Sequence, residues 1–334
     1  MKKKRKILFT IFLAICDICA ITCFIIFYCT KFKTIFIQTA MNTMEHQYLA
    51  KVFYSQKTIN KVMSSNYFVE LDDEVNLDDI VIDTSIKTTF KDKYEEELLT
   101  RDKDALYKLI ELKIGNTTGH LVAIYDPTKV QLISKAVLGT STGERVITMC
   151  ERYGGEVCIN GGAFVDYGYG SGIPIGYVIE DGVITWSDGD SSTLRGNIIG
   201  MTADGKLKLM SNATGDEALK AGIVDGMEFG PFLIVNGKSL EIVGDPWGRS
   251  PRVAIAQRKD GVMMFLVVDG ENYINGASIS DVVEVLERYG AYNASNLDGG
   301  TSATLIIDGK LVNNPVRAKA TNGRNIVTGW GLIP

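Results

Sequence analysis

Histidine is almost missing from this chain: its 334 residues include two, His46 and His120. A zinc site built on several imidazoles is therefore excluded, and a Ser-His-Asp triad could draw on only one of the pair. Cysteine is thin outside the N-terminal segment. Cys16, Cys19, Cys23 and Cys29 sit in or beside an apolar N-terminal run and act there as small hydrophobes. Cys150 and Cys158 remain, at a spacing that fits no zinc pattern. They form a disulfide or two buried thiols; the first reads as the end of a helix and the second as the middle of the next strand, which favours thiols. Positive charge is scarce in the body as well. Lys2, Lys3, Lys4, Arg5 and Lys6 carry +5, so a net charge of −5 for the whole chain leaves −10 for the rest. A body that acidic lacks the cations that nucleic-acid binding needs. Repeats, low-complexity tracts, a dinucleotide fingerprint and a P-loop are absent too.

What is present begins with a long apolar run. Residues 7–28 are mostly apolar and long enough to cross a bilayer of about 30 Å as a helix. Asp17 near the centre is the one obstacle, at about 2.5–3.5 kcal/mol. The basic cluster before the run outweighs Lys31 and Lys33 after it, which predicts a single-pass cell-membrane protein with a cytoplasmic N-terminus and an extracellular body. No small-x-small cleavage site follows, so residues 1–30 read as a basic tail and uncleaved transmembrane anchor. From 31 to 66 the pattern stays helical, with Ile35, Phe36, Met41, Met44, Tyr48, Leu49, Phe53 and Tyr54 interleaved with polar residues. It reads as a stalk helix with a face for self-association, or as an amphipathic helix packed on its own domain. Residues 70–104 hold thirteen acidic and five basic side chains, the texture of a solvated linker or surface helix. Stalk and linker thus occupy 31–104, and the folded body 105–334.

The body consists of short apolar runs broken by glycine and aspartate. Strands are expected at 121–125, 130–133 and 156–159, with a helix at 142–153 between the last two. Hairpin turns are expected at Asp181-Gly182, Asp204-Gly205, Asn236-Gly237, Asp260-Gly261 and Asp308-Gly309. A helix capped by Ser280 and Asp281 runs to about Tyr289. Many strands and few helices outside βαβ alternation predict an α+β fold: mixed β-sheets with a few flanking helices, preceded by the transmembrane helix and helical stalk.

Two buried strands end on a polar residue followed by paired glycines. One runs into Asn160-Gly161-Gly162-Ala163-Phe164, with Gly168, Gly170, Gly172 and Gly176 close behind, and this long loop reads as a binding loop. The other is Asn296-Leu297-Asp298-Gly299-Gly300-Thr301-Ser302-Ala303-Thr304. A carboxylate, two glycines and two hydroxyls in five residues suit a tight turn whose backbone N–H groups approach a ligand closely. Further polar groups at strand ends are Arg252, Asp269 and Arg324. Arginine makes bidentate bonds to phosphate or carboxylate. With so few histidines, proton transfer falls to carboxylates, and glycosyl transfer to water is a reaction that runs on carboxylates. No cofactor is called for, and the sequence leaves metal binding open.

These strings, with Arg252-Val253-Ala254-Ile255 and Val267-Val268-Asp269-Gly270, resemble in matching order the phosphodiester glycosidase family over roughly residues 121–334. The resemblance implies hydrolysis of the bond between an anomeric carbon and a phosphodiester. It implies Asp298 as the catalytic carboxylate, Arg252 and Arg324 on the phosphate, and Asp269 as a second carboxylate or an orienter. Asn160 and Ser302 then bind sugar hydroxyls or phosphate oxygens, with Gly161, Gly162, Gly299, Gly300 and Thr301 completing the substrate site. Thr301 stands where the family often has a third glycine and Ala163 where it often has an aromatic, so sugar specificity does not carry over. The implied substrate is a phosphorylated glycan of a bacterial cell envelope, from a wall polymer or an exopolysaccharide. The alternative is a non-catalytic module that binds such glycans.

Overall fold

A computed structural model describes residues 2–28, 30–41, 47–165, 172–270, 275–316 and 321–334. Cys29, Met44, His46, Gly168 and Gly170, all singled out above, lie outside them. The chain divides into two units: Met1–Tyr67 with Val243–Gly248, and Phe68–Ile242 with Arg249–Pro334.

The first unit is helical, and it corrects the expected anchor and stalk. Lys2–Tyr28 is one helix, yet among the described residues no helix is long and apolar enough to cross a membrane. The helix opens on the charges of Lys2, Lys3, Lys4, Arg5 and Lys6, and Asp17 interrupts its apolar run near the centre. The single-pass topology, with its cytoplasmic tail and extracellular body, falls with the anchor. Nor is there one long stalk helix. Three short helices, Thr30–Met41, Gln47–Phe53 and Gln56–Ser64, pack on one another. Ser55 starts the last of them by accepting from the Thr58 amide. Ile37, Ala40, Ala50, Tyr54, Ile59 and Val62 are buried together, so the apolar face is spent within the unit.

The second unit is α+β, and its three larger sheets among the described residues are antiparallel. A seven-stranded sheet runs Lys238–Ser239, Phe232–Val235, Ala291–Leu297, Arg252–Arg258, Met263–Val268, Thr117–Ile124, Tyr107–Ile114. One five-stranded sheet runs Lys310–Leu311, Leu305–Ile307, Val157–Asn160, Thr328–Leu332, Val130–Ser134. The other runs Leu207–Ala213, Gly196–Thr202, Ile223–Glu228, Tyr177–Glu180, Val183–Ser187. Every pairing in them is antiparallel, where mixed sheets were expected. Tight turns explain the difference, because a two-residue connection can join only antiparallel neighbours. Asp181-Gly182, Asn236-Gly237 and Asp308-Gly309 each place both residues at positive φ, the geometry whose twist matches a hairpin. The helix Ile279–Arg288 buries Val282, Val283, Val285 and Leu286, and its cap is Ser278, in a reciprocal box with Asp281, not Ser280.

The acidic stretch is no solvated linker. Leu71, Val75, Ile80, Leu98 and Leu99 are buried, and its carboxylates reach far along the chain. Glu95 pairs with Arg258 at 2.8 Å, Asp79 with Lys259 at 3.2 Å and Asp73 with Lys238 at 3.1 Å. Glu97 and Asp79 also accept from the Tyr289 and Tyr292 hydroxyls. The charge run is a strap laid on the body, and its partners sit too far along the sequence to be seen in it.

Cys150 and Cys158 are joined in a disulfide, correcting the expected thiols. The helix Val146–Tyr153 stops at Gly154, whose positive φ turns the chain back so tightly that the two Cα atoms stand 5.9 Å apart. Replacing both cysteines by alanine is expected to lower the unfolding free energy by about 2–3 kcal/mol, the size a loop this short supports. Denaturant titration of the double variant against the parent checks it.

Asp225 gives a pH-dependent prediction. Burial is the main cause that pushes its carboxyl up to about 6, with the charges of Asp181 and Glu180 adding to it. A folded-state value above the unfolded one means that its favourable term is complete below about pH 4 and is lost as pH rises through 6. At pH 8, Asp225→Asn should therefore stabilise the protein by about 2–3 kcal/mol, while at pH 4 the gain should vanish. Thermal unfolding at the two pH values reads the difference.

Candidate active site

The site is built where strands of two sheets end. Ala291–Leu297 lies between Phe232–Val235 and Arg252–Arg258, pairing Leu297 with Val253 and Asn296 with Ala254. It leaves the sheet at Asp298. Val157–Asn160, in the sheet with Leu305–Ile307, ends beside the same point. Three hydrogen bonds join them. The Asp298 amide donates to the Gly161 carbonyl at 2.9 Å. Asn160 Nδ2 donates to the Asp298 carbonyl at 2.5 Å, and Asn160 Oδ1 accepts from the Thr304 amide at 3.0 Å. Asn160 is 1 % exposed and uses both ends of its amide to hold the turn at its start and its finish. The carboxylate-bearing residue Asp298 is half-buried.

The glycines serve chain-to-chain approach. A Cβ on Gly299 would lie 2.5 Å from the Pro251 carbonyl oxygen, and one on Gly161 would lie 2.5 Å from Met227 Cε. The Gly300 amide donates to Pro251 O at 2.9 Å, with φ at +59°. The Gly161 and Gly162 amides donate to the carbonyl and the hydroxyl of Thr328. Three of the amides expected to cradle a ligand thus bond within the protein.

Side chains complete the arrangement. Arg324 Nη1 donates to Thr301 Oγ1 at 3.0 Å, and its guanidinium lies over the Phe164 ring, 5.1 Å from the centroid. Arg252, 6 % exposed, donates from Nε to the Ala277 carbonyl at 3.0 Å. It follows Pro251 directly, so the Gly300 bond ties its strand to the Asp298 turn. Ser302 is buried, and its carbonyl accepts from Thr304 Oγ1 at 3.0 Å. Asn160, Gly161, Asp298, Gly300, Thr301 and Arg324 are thereby linked into one group of contacts.

Asp269 joins that group only indirectly. Its Oδ1 accepts from Asn313 Nδ2 at 3.1 Å and from the Asn314 amide at 2.8 Å. His120 Nε2 lies 3.3 Å from Oδ2. Asn313 and His120 were not found from the sequence. His120 directly precedes the apolar run 121–125, whereas nothing local marks Asn313. Glu228 was missed as well. Its backbone oxygen is 3.0 Å from the position a Gly162 Cβ would take, and burial, followed by the charge of Asp188, raises its carboxyl above the ordinary range. Among the described residues no group of three or more His, Cys, Asp and Glu side chains is arranged to hold a metal ion.

Comparisons with known proteins bear on the same region. The family model for phosphodiester glycosidases matches residues 153–333. The SPbeta prophage-derived uncharacterized protein YomE of Bacillus subtilis is 29 % identical over 198 residues, covering 57 % of this chain and 30 % of that protein. N-acetylglucosamine-1-phosphodiester alpha-N-acetylglucosaminidase of Mus musculus is 24 % identical over 218 residues, covering 59 % of this chain and 41 % of that protein. The chain thus spans less than half the length of these relatives. In fold it is similar to the catalytic domain of the zebrafish N-acetylglucosamine-1-phosphodiester alpha-N-acetylglucosaminidase auto-inhibited by pro-peptide. The TM-score there is 0.57 at 21 % identity, over 68 % of this chain and 82 % of that one. The family match takes in the Asn160 strand, the Asp298 turn, Arg252, Asp269 and Arg324, and on it the chain belongs to the phosphodiester glycosidase family.

Proposed function

We propose that this protein hydrolyses the bond between an anomeric carbon and the phosphate of a sugar-1-phosphodiester, releasing free sugar. The observation that carries the reading is the Asp298–Ser302 turn: Arg324 bonds to Thr301 within it, and Gly300 bonds to the residue preceding Arg252. The turn that carries the half-buried Asp298 thus holds one arginine side chain directly and is tied by its backbone to the residue before a second. Family membership and the relatives named for phosphodiester glycosidase activity agree with that chemistry.

Phosphate is already a good leaving group, so holding the charge that builds on its oxygen matters more than protonating it. Arg252 and Arg324 take that part. Asp298 faces the anomeric carbon as the carboxylate beside an oxocarbenium-like transition state. The substrate class is a phosphorylated glycan, of the kind that bacterial envelope polymers provide. A non-catalytic glycan-binding module would hold the same ligand without releasing sugar.

The first test offers a sugar-1-phosphodiester to the purified protein and identifies the product. Free sugar is expected; sugar phosphate would mean phosphorus–oxygen cleavage, and neither product with measurable binding would mean a binding module. Asp298→Asn should lower kcat at least about 10³-fold with an unchanged melting temperature. Near-parent turnover in that variant would remove Asp298 from the mechanism. Thr301→Val takes away the hydroxyl that holds Arg324 and should raise KM about tenfold with a smaller effect on kcat, whereas Thr301→Ser should stay close to the parent. Steady-state kinetics on the two variants separates hydroxyl from bulk.

A further inference from the structure

The buried polar groups behind the turn form a chain that the reaction, as proposed, leaves unused. Asn313 is 4 % exposed and sits at its centre. Its Oδ1 accepts from the Leu305 amide at 2.8 Å, while Nδ2 donates to the Ala303 carbonyl at 3.0 Å and to Asp269 Oδ1 at 3.1 Å. With Asn160 on the Thr304 amide, three consecutive residues after the catalytic turn are gripped by two buried asparagines from separate parts of the chain. Asn313 is itself suspended from Asp269, which also takes the Asn314 amide on the same oxygen. Asp269 is pinned in turn. Its amide donates to the Thr118 carbonyl, its carbonyl accepts from Thr117 Oγ1 at 2.6 Å, and His120 stands at its second oxygen. The path runs from the strand Thr117–Ile124 through Asp269 and Asn313 into residues 303–305.

We infer that Asn313 is a positioning residue for the Asp298 turn, and that Asp269 acts through it instead of touching substrate. Two features of the geometry favour this over a second catalytic carboxylate. The Asp269 oxygens face two N–H donors and the His120 ring nitrogen, all belonging to the protein, and the side chain is 12 % exposed. Asn313 also meets the turn segment with both a donor and acceptor bond, which fixes direction as well as distance. A carboxylate displaced by about 1 Å from its reacting atom costs on the order of 10²-fold in rate, so a brace of this kind acts on kcat. The inference rests on Asp298 being the catalytic carboxylate.

The test compares Asn313→Ala, Asn313→Asp and Asp269→Asn with the parent, in sugar-release kinetics and in amide hydrogen exchange at 303–305. Asn313→Ala should lower kcat about 10- to 100-fold, leave KM within about threefold and speed exchange at Leu305. Should Asn313→Ala not fold, Asn313→Asp keeps the size and the acceptor for Leu305, loses both donations and should show the same fall in kcat. Asp269→Asn should retain kcat within about tenfold, because the amide oxygen still accepts from Asn313 and Asn314. An Asp269→Asn loss as deep as that of Asp298→Asn overturns the inference, and so do folded Asn313 variants with parent kcat and parent exchange. A parent protein that releases no sugar would instead defeat the proposed function, while exchange at 303–305 would still decide whether Asn313 braces the turn.

Discussion

The site depends on one buried amide. Asn160 ends a strand of one sheet and bonds to two backbone groups of the loop leaving another, the Asp298 carbonyl and the Thr304 amide. Few side chains could replace it. A carboxylate would lose the donor, and a leucine would leave a buried N–H and a buried C=O unpaired, at about 1–3 kcal/mol each. The strand that carries Asn160 is held in its turn by the Cys150–Cys158 disulfide two residues earlier. Helix, disulfide, strand and amide make a short rigid path, and the Asp298 turn hangs from its end.

Paired glycines at strand ends suggest an amide cradle for a ligand, and here they do something else. They let neighbours come close. The Pro251 carbonyl approaches Gly299 and the Met227 side chain approaches Gly161, while the Gly300 and Gly161 amides bond to Pro251 and Thr328. Side chains also meet at this turn, where Arg324 bonds to Thr301. Thr301 fits that arrangement, because its hydroxyl holds the guanidinium from one side while Phe164 supports it from the other. A glycine at 301 could not do this.

How much of this was legible in the sequence follows the range of the interactions. Asp181-Gly182, Asn236-Gly237 and Asp308-Gly309 announce their hairpins because the turn chemistry is local. The polar strand ends at Asn160 and Asp298 stood out for the same reason. Long-range pairings stayed hidden. Asp269 lies 149 residues from His120 and 44 from Asn313, and Glu95 lies 163 from Arg258. The disulfide was hidden differently, since its two elements were each read correctly but the tight Gly154 reversal between them was not. The N-terminal apolar run shows the opposite error, a local signal that predicts an anchor where among the described residues no helix is long and apolar enough to cross a membrane.

Asp269 and Asp298 look alike in sequence, each an aspartate that follows a buried strand and precedes glycine. Their surroundings make them different groups. Among the described residues an asparagine N–H and a backbone N–H donate to Oδ1 of Asp269, and the His120 ring nitrogen stands at Oδ2. Such N–H donors suit a side chain whose oxygens accept. At Asp298 the buried bonds run through the backbone, with the amide on Gly161 and the carbonyl on Asn160. Fixing the main chain this way sets where the side chain stands. One sequence signature thus covers two kinds of anchoring, through the carboxylate at Asp269 and through the main chain at Asp298.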